Sequence, residues 1–287
     1  MIACRQLAAA ALLLALGACS SGSDDPASDR DPATTAPPSA SASVPATSAT
    51  YVALGDSFTA GPGITRQQPD SGFCQRSTRN WPALLAARVD LPVTDVSCSG
   101  ATTADLVETV ASDVLDQSPQ LVTVSSGGND GGLFTSLLQA CAGGGSSCSD
   151  YVTGQVPGIL QKTTADLAAL LGDVASAVPD AQVVLVGYPR IAPETGSCAA
   201  IGISDTAPVV AAETALDAAL ADAGRRAGVS YVSLRDDSTG HDACAGADAW
   251  TNGISAPSGH GIIFHPNARG MQAVADLVGQ AVERSAG

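Results

Sequence analysis

From Tyr51 onward, hydrophobic positions fall into two alternating patterns. Short runs rich in Val and Leu occupy Tyr51–Leu54, Val93–Ser97, Leu121–Ser125, Val183–Gly187 and Val229–Leu234. Their length and largely continuous apolar character predict strands covered on both faces, as in a parallel sheet. Between them, Trp81–Val89, Thr103–Leu115, Val156–Val178 and Pro208–Ala227 carry apolar residues at helical spacing, and a last helix is expected from about Pro266 to Glu283. In Pro208–Ala227, for example, Val209, Ala212, Leu216, Ala219 and Leu220 share one face. Asn80 suits the N-cap of the helix beginning at Trp81, and Pro82 is tolerated in its first turn. Strand–helix alternation implies right-handed crossovers. The expected fold is α/β, a three-layer α/β/α sandwich around a five-stranded, mainly parallel sheet.

The pattern before Tyr51 is different. Arg5 precedes an apolar run, Leu7–Ala18, too short to span a bilayer and shaped like the core of a signal peptide. It ends Leu16-Gly17-Ala18-Cys19, which resembles the lipobox of bacterial lipoproteins, where the cysteine is acylated and becomes the mature N-terminus. Residues 1–18 are therefore expected to be a lipoprotein signal peptide and Cys19 a lipidation site, giving a lipid-anchored protein of the bacterial cell envelope; secretion is the alternative. Ser20–Thr50 is rich in Ser, Ala, Pro, Thr and Asp, with Val44 its sole large aliphatic residue. Such a stretch buries too little apolar surface to offset its ordering entropy, so 19–50 is expected to be a disordered linker. Residues 51–287 then form one catalytic domain of ordinary size.

Composition narrows the partners. A formal charge of −15 argues against nucleic acid and against electrostatic docking on anionic lipid. Six cysteines stand in the domain, at 74, 98, 141, 148, 198 and 244. An even number beyond a signal peptide predicts disulfides in an oxidising compartment, though six cysteines permit fifteen pairings. Their spacings contain no CxxC, which argues against zinc.

Four short motifs carry the chemistry. Gly55-Asp56-Ser57-Phe58 follows the first strand, Ser99-Gly100 the second and Gly128-Asn129-Asp130 the third; Phe264-His265-Pro266-Asn267 precedes the last helix. In a parallel sheet, functional groups gather beyond the carboxyl ends of the strands, so the first three motifs share one edge. No Gly-x-Ser-x-Gly elbow of the α/β-hydrolase kind is present. A serine, a glycine, an asparagine and a histidine in this order resemble the SGNH (GDSL-type) serine hydrolases, most closely the disulfide-bearing esterases and lipases of actinobacteria. The resemblance covers nearly all of Tyr51–Gly287 and implies the flavodoxin-like fold of that family.

It further implies Ser57 as nucleophile, His265 as general base and acid, and an oxyanion hole formed by the Ser57 and Gly100 backbone N–H groups and the Asn129 amide. Asp56 reads as a structural residue of the turn. The family normally carries an aspartate three residues before the histidine; here Ile262 stands there and has no acceptor side chain. The backbone carbonyl of Ile262 is the expected orienting group, as in some bacterial lipase-like members, with Asp242 or Asp248 as alternatives. His241 reads as an exposed loop residue and His260 as a neighbour of the site. Short loops together with the resemblance favour the pairings Cys74–Cys98, Cys141–Cys148 and Cys198–Cys244, and the segment Leu133–Val156 is expected to wall an acyl site. The expected activity is carboxylic ester hydrolysis by a monomer, without metal or cofactor, on lipid esters. Acetylated polysaccharide and phospholipid remain alternative substrates, and a non-catalytic glycan-binding lipoprotein is the rival of another class.

Overall fold

Five parallel strands form one sheet in the order β2-β1-β3-β4-β5. The structure, a computed structural model, describes residues 50–142 and 145–285. The expected signal peptide 1–18, Cys19 and all of the 19–50 linker except Thr50 lie outside the described residues.

The strands are β1 (Tyr51–Gly55), β2 (Val93–Asp95), β3 (Leu121–Ser125), β4 (Gln182–Val186) and β5 (Ser230–Val232). Side chains alternate across each strand. Tyr51 and Ala53 of β1, with Val184 and Val186 of β4, face one hydrophobic core. Val52, Leu54, Val183 and Leu185 face a second. This two-sided burial is why the strand runs read as continuously apolar. The helices are α1 (Ser57–Ala60), α2 (Trp81–Val89), α3 (Thr103–Val110), α4 (Leu133–Ala142), α5 (Ser147–Gly154), α6 (Val156–Ala177), α7 (Ala207–Ala227) and α8 (Ala268–Ser285). α2 and α8 cover the first core with Trp81, Leu85, Met271 and Val274. α3, α4, α6 and α7 cover the second with residues such as Leu106, Leu137, Leu167 and Leu216. Each fully buried leucine here contributes on the order of 1.5–3 kcal/mol by leaving water.

Asn80 caps α2 as expected, its Oδ1 accepting from Ala83 N at 3.1 Å. Other boundaries shift. α3 ends at Val110 rather than Leu115; Ser112 is extended, its hydroxyl bonds back to the Thr109 carbonyl, and Asp113–Leu115 forms a separate 3₁₀ turn. That local side-chain bond competes with helix continuation. The last helix begins at Ala268, not Pro266, because Asn267 is the cap: its Oδ1 accepts from Arg269 N and Gly270 N at 2.9 and 3.0 Å. The edge strands β2 and β5 are shorter than their apolar runs. Beyond β2, the Asp95 carboxylate accepts from Ser97 N and Oγ, while Val96 N and Cys98 N still donate to the Ala53 and Gly55 carbonyls of β1 at 3.0 and 2.9 Å. The helices α4 and α5 lie in the segment Leu133–Val156, where the apolar pattern predicts no element.

Disulfides join Cys74 to Cys98, Cys141 to Cys148 and Cys198 to Cys244.

Candidate active site

All strands point the same way, so the turns after β1, β2 and β3 emerge at one edge. The β1 turn is built by Asp56. Its Oδ1 accepts from Phe58 N at 2.8 Å and caps α1, so Ser57 becomes the first residue of that helix. Thr59 N and Ala60 N donate to the Asp56 carbonyl at 3.1 and 2.9 Å, which leaves the Ser57 N–H as the first-turn donor beside its own hydroxyl. The other Asp56 oxygen accepts from the Tyr188 hydroxyl at 2.6 Å. Burial raises the Asp56 carboxyl to about 7, against the lowering effect of those donors, Tyr188 first.

The β2 turn is pinned from three sides. Cys98 is bonded to Cys74, Ser99 donates through N and Oγ to the Cys74 carbonyl at 3.2 and 2.9 Å, and Arg76 holds the Ser97 carbonyl at 3.0 Å. Gly100 sits there at φ +83°, in the left-handed region, and a Cβ on it would meet nothing within 4 Å. The glycine thus answers a backbone requirement, and open space adjoins its peptide.

The β3 turn is stitched to the β2 turn. Asn129 Nδ2 donates one hydrogen to the Ala101 carbonyl at 3.0 Å, and Asp130 accepts from Thr103 N and Oγ1, both at 2.8 Å. One amide hydrogen of Asn129 is thereby fixed, which sets the direction of the other. At Gly128 a Cβ would lie 2.4 Å from a Phe134 ring carbon, so only glycine admits that aromatic ring.

His265 arrives from the loop before α8. Its Nε2 lies 2.8 Å from Ser57 Oγ, and its Nδ1 lies 2.7 Å from the carbonyl oxygen of Ile263. The expected partner was Ile262, one residue earlier. The Ile262 carbonyl instead accepts from Asn252 Nδ2 at 3.1 Å and from His265 N at 3.4 Å. Phe264 adopts φ +58°, a left-handed turn that folds the His265 ring back over the Ile263 carbonyl. Neither aspartate alternative is the partner: Asp242 accepts from Cys244 N, and Asp248 pairs with Arg269. A carbonyl accepting from Nδ1–H selects the tautomer whose Nε2 lone pair faces the serine hydroxyl. Desolvation lowers the His265 pKa, with the Ile263 hydrogen bond opposing it, so the ring favours its neutral form. A hydroxyl so placed can pass its proton to the ring as it attacks an electrophilic carbon.

Phe58 leans on the His265 ring with centroids 4.9 Å apart, and Phe134 and Tyr188 complete an aromatic cluster around it. Beside Ser57 opens a cleft of about 380 Å³, lined by Phe134 and Leu138 of α4, by Ile191, and by Ile262 and Ile263 on the loop before His265. Ile262 and Ile263 are 36 % and 47 % exposed, so the cleft has an apolar rim. The α4 half of Leu133–Val156 thus walls the cleft; α5 is tied to α4 by Cys141–Cys148.

His260 does not line this cleft. It bridges to Ile64 and borders a separate depression with Asn252 and Ile254. His241 is half-buried rather than exposed, stacked on Trp250 at 4.4 Å with Nδ1 on the Asp248 carbonyl. Among the described residues, Cys198, Asp242 and Cys244 bring possible metal donors together, but both sulfurs are consumed by their disulfide. Sequence reasoning missed Ile263, Tyr188 and Phe134. For Tyr188 a signal existed: it follows the carboxyl end of β4, where sites of this architecture gather.

Comparison with known proteins gives the family. The model of the GDSL-like Lipase/Acylhydrolase family matches residues 53–273. A lipase of Streptomyces rimosus is 34 % identical over 236 residues, covering 81 % of this chain and 86 % of the relative. Lipase 2 of Streptomyces coelicolor is 35 % identical over 248 residues, covering 79 % and 83 %. Among solved structures, the extracellular lipase of Streptomyces rimosus superposes with a TM-score of 0.71 at 32 % identity, covering 81 % of this chain and 99 % of that one. Phospholipase A1 of Streptomyces albidoflavus gives 0.70 at 28 % identity, covering 82 % and 99 %.

Proposed function

The chain belongs to the GDSL-like lipase/acylhydrolase family and is a serine ester hydrolase, and from that premise we propose its mechanism and substrate class. Ser57 Oγ attacks the ester carbonyl carbon while His265 Nε2 takes the hydroxyl proton. The tetrahedral oxyanion is met by the N–H groups of Ser57 and Gly100 and by the Asn129 amide. Collapse breaks the bond to the alcohol oxygen, which leaves with the proton from His265. Water then attacks the acyl-enzyme, giving its proton to His265. Release of the acid returns that proton to Ser57. The Ile263 carbonyl, in place of a carboxylate, accepts from Nδ1–H, holding the ring and stabilising the transient imidazolium, so the reacting unit is a Ser–His dyad.

The observation that carries this reading is the 2.8 Å contact between His265 Nε2 and Ser57 Oγ, with Nδ1 held 2.7 Å from Ile263 O. The aliphatic and aromatic cleft supports an acyl chain as the recognised part, hence lipid esters. Phospholipid is a second reading, favoured by likeness to the phospholipase A1. Acylation of Cys19 would hold such an enzyme, as a monomer, at the cell envelope; the Leu16-Gly17-Ala18-Cys19 ending supports this.

Hydrolysis of nitrophenyl esters from acetate to palmitate tests the proposal. Turnover rising from acetate to medium or long chains is expected. A maximum at acetate would move the substrate to acetylated polysaccharide, and no turnover at any length would favour the glycan-binding alternative.

A further inference from the structure

We propose that Tyr188 is a positioning residue whose hydroxyl joins the turn carrying Ser57 to the loop carrying Asn129. The proposal rests on the roles given above to those two residues. Tyr188 lies just beyond β4, and its ring is buried. Its hydroxyl donates to Asp56 Oδ2 at 2.6 Å and accepts from Gly128 N at 3.0 Å. The other Asp56 oxygen accepts from Phe58 N at 2.8 Å and so caps the helix that begins with Ser57. Gly128 immediately precedes Asn129. A continuous path therefore runs from the oxyanion loop through one phenol to the nucleophile turn.

The phenol suits that position. Burial, and then the neighbouring Asp56 carboxylate, push its pKa well above the ordinary value, so it stays a donor. Its one proton is committed to Asp56 and an oxygen lone pair to Gly128. A purely packing role would need only the ring, which stands edge-on to Phe58 at 5.1 Å and to Phe134 at 5.4 Å. Phenylalanine would keep both contacts, so Tyr188→Phe isolates the hydroxyl. Its loss strands a buried carboxylate oxygen and a buried N–H, each of which then seeks another partner. Movement of either loop alters the distance between nucleophile and oxyanion donors, and misplacement of about 1 Å can cost on the order of 10²-fold in rate.

The test measures kcat and KM on nitrophenyl butyrate for the wild type, Tyr188→Phe, Asp56→Asn and their double variant, with thermal unfolding of each. Tyr188→Phe is expected to lower kcat roughly 10- to 100-fold with KM nearly unchanged. Asparagine retains the acceptor for Phe58 N but not the carboxylate oxygen facing Tyr188. The double variant is therefore expected to lose no more than the worse single variant. Wild-type kcat in Tyr188→Phe, or additive losses in the double variant, would overturn the proposal. If Tyr188→Phe does not fold, wild-type kcat in Asp56→Asn overturns it equally. Ser57→Ala in the same assay separates the two levels. Turnover lost there but unchanged in Tyr188→Phe removes the Tyr188 role alone; turnover retained in Ser57→Ala removes the nucleophile and this proposal with it.

Discussion

Replacing Asn129 with alanine removes an amide whose two N–H bonds have separate duties. One donates to the Ala101 carbonyl at 3.0 Å. The other, in the mechanism proposed, meets the oxyanion. Losing the tether costs about 0.5–1.5 kcal/mol of stability, the net worth of an ordinary hydrogen bond. The loop itself should hold, because Asp130 independently grips Thr103 through two 2.8 Å contacts. Losing the oxyanion donor costs about 2.7–4 kcal/mol in the transition state, or roughly 10²–10³ in kcat. The two effects are read by different assays: steady-state turnover of nitrophenyl butyrate for one, urea unfolding for the other. Asn129→Ala should lose two to three decades of kcat, with KM changing little and the urea midpoint falling slightly. A kcat within about threefold of wild type would refute the assignment, as would a kcat loss that merely follows the loss of folded protein.

Two further outcomes follow from the same site. Burial lowers the His265 pKa, opposed by the Ile263 hydrogen bond and, among the described residues, by no carboxylate, so the neutral base persists to lower pH than an ordinary imidazole. The acid limb of kcat/KM should therefore fall below about pH 6.5, whereas a limb at or above 7 would point to a carboxylate partner for the ring. Gly128→Ala would place a Cβ 2.4 Å from Phe134, a ring held between Phe58 and Tyr188. It should lower stability by about 1–3 kcal/mol, read as a fall in Tm; an unchanged Tm would show that Phe134 yields freely.

The sheet and much of the site were legible because they are written in side chains. Strands buried on both faces leave continuous apolar runs, and Ser57, Gly100 and Asn129 each follow such a run in sequence. The orienting group of His265 was legible only to within one residue. A backbone carbonyl has no side-chain signature, and the choice of Ile263 over Ile262 depends on the left-handed turn at Phe264, a residue whose identity does not announce that conformation. Tyr188 carried only the coarse signal of its place beyond the β4 run, which does not give its role. Its partners Asp56 and Gly128 lie 132 and 60 residues away, and nothing local in Gly187-Tyr188-Pro189 distinguishes a bridging phenol from a core aromatic. The helices α4 and α5 escaped because the Gly- and Ser-rich stretch between Cys141 and Cys148 interrupts the periodicity.

The central claim is that Ser57, activated by His265, becomes acylated. Trapping with a nitrophenyl alkylphosphonate tests it most directly, because phosphorus is attacked by the activated hydroxyl, nitrophenolate leaves, and the product resists water. Peptide mass spectrometry of the inactivated enzyme should place one alkylphosphonyl group on the peptide containing Ser57, with no labelling in Ser57→Ala and markedly slowed labelling in His265→Ala. Inactivation with the label on another residue, or full turnover by protein whose Ser57 is modified, would contradict the account.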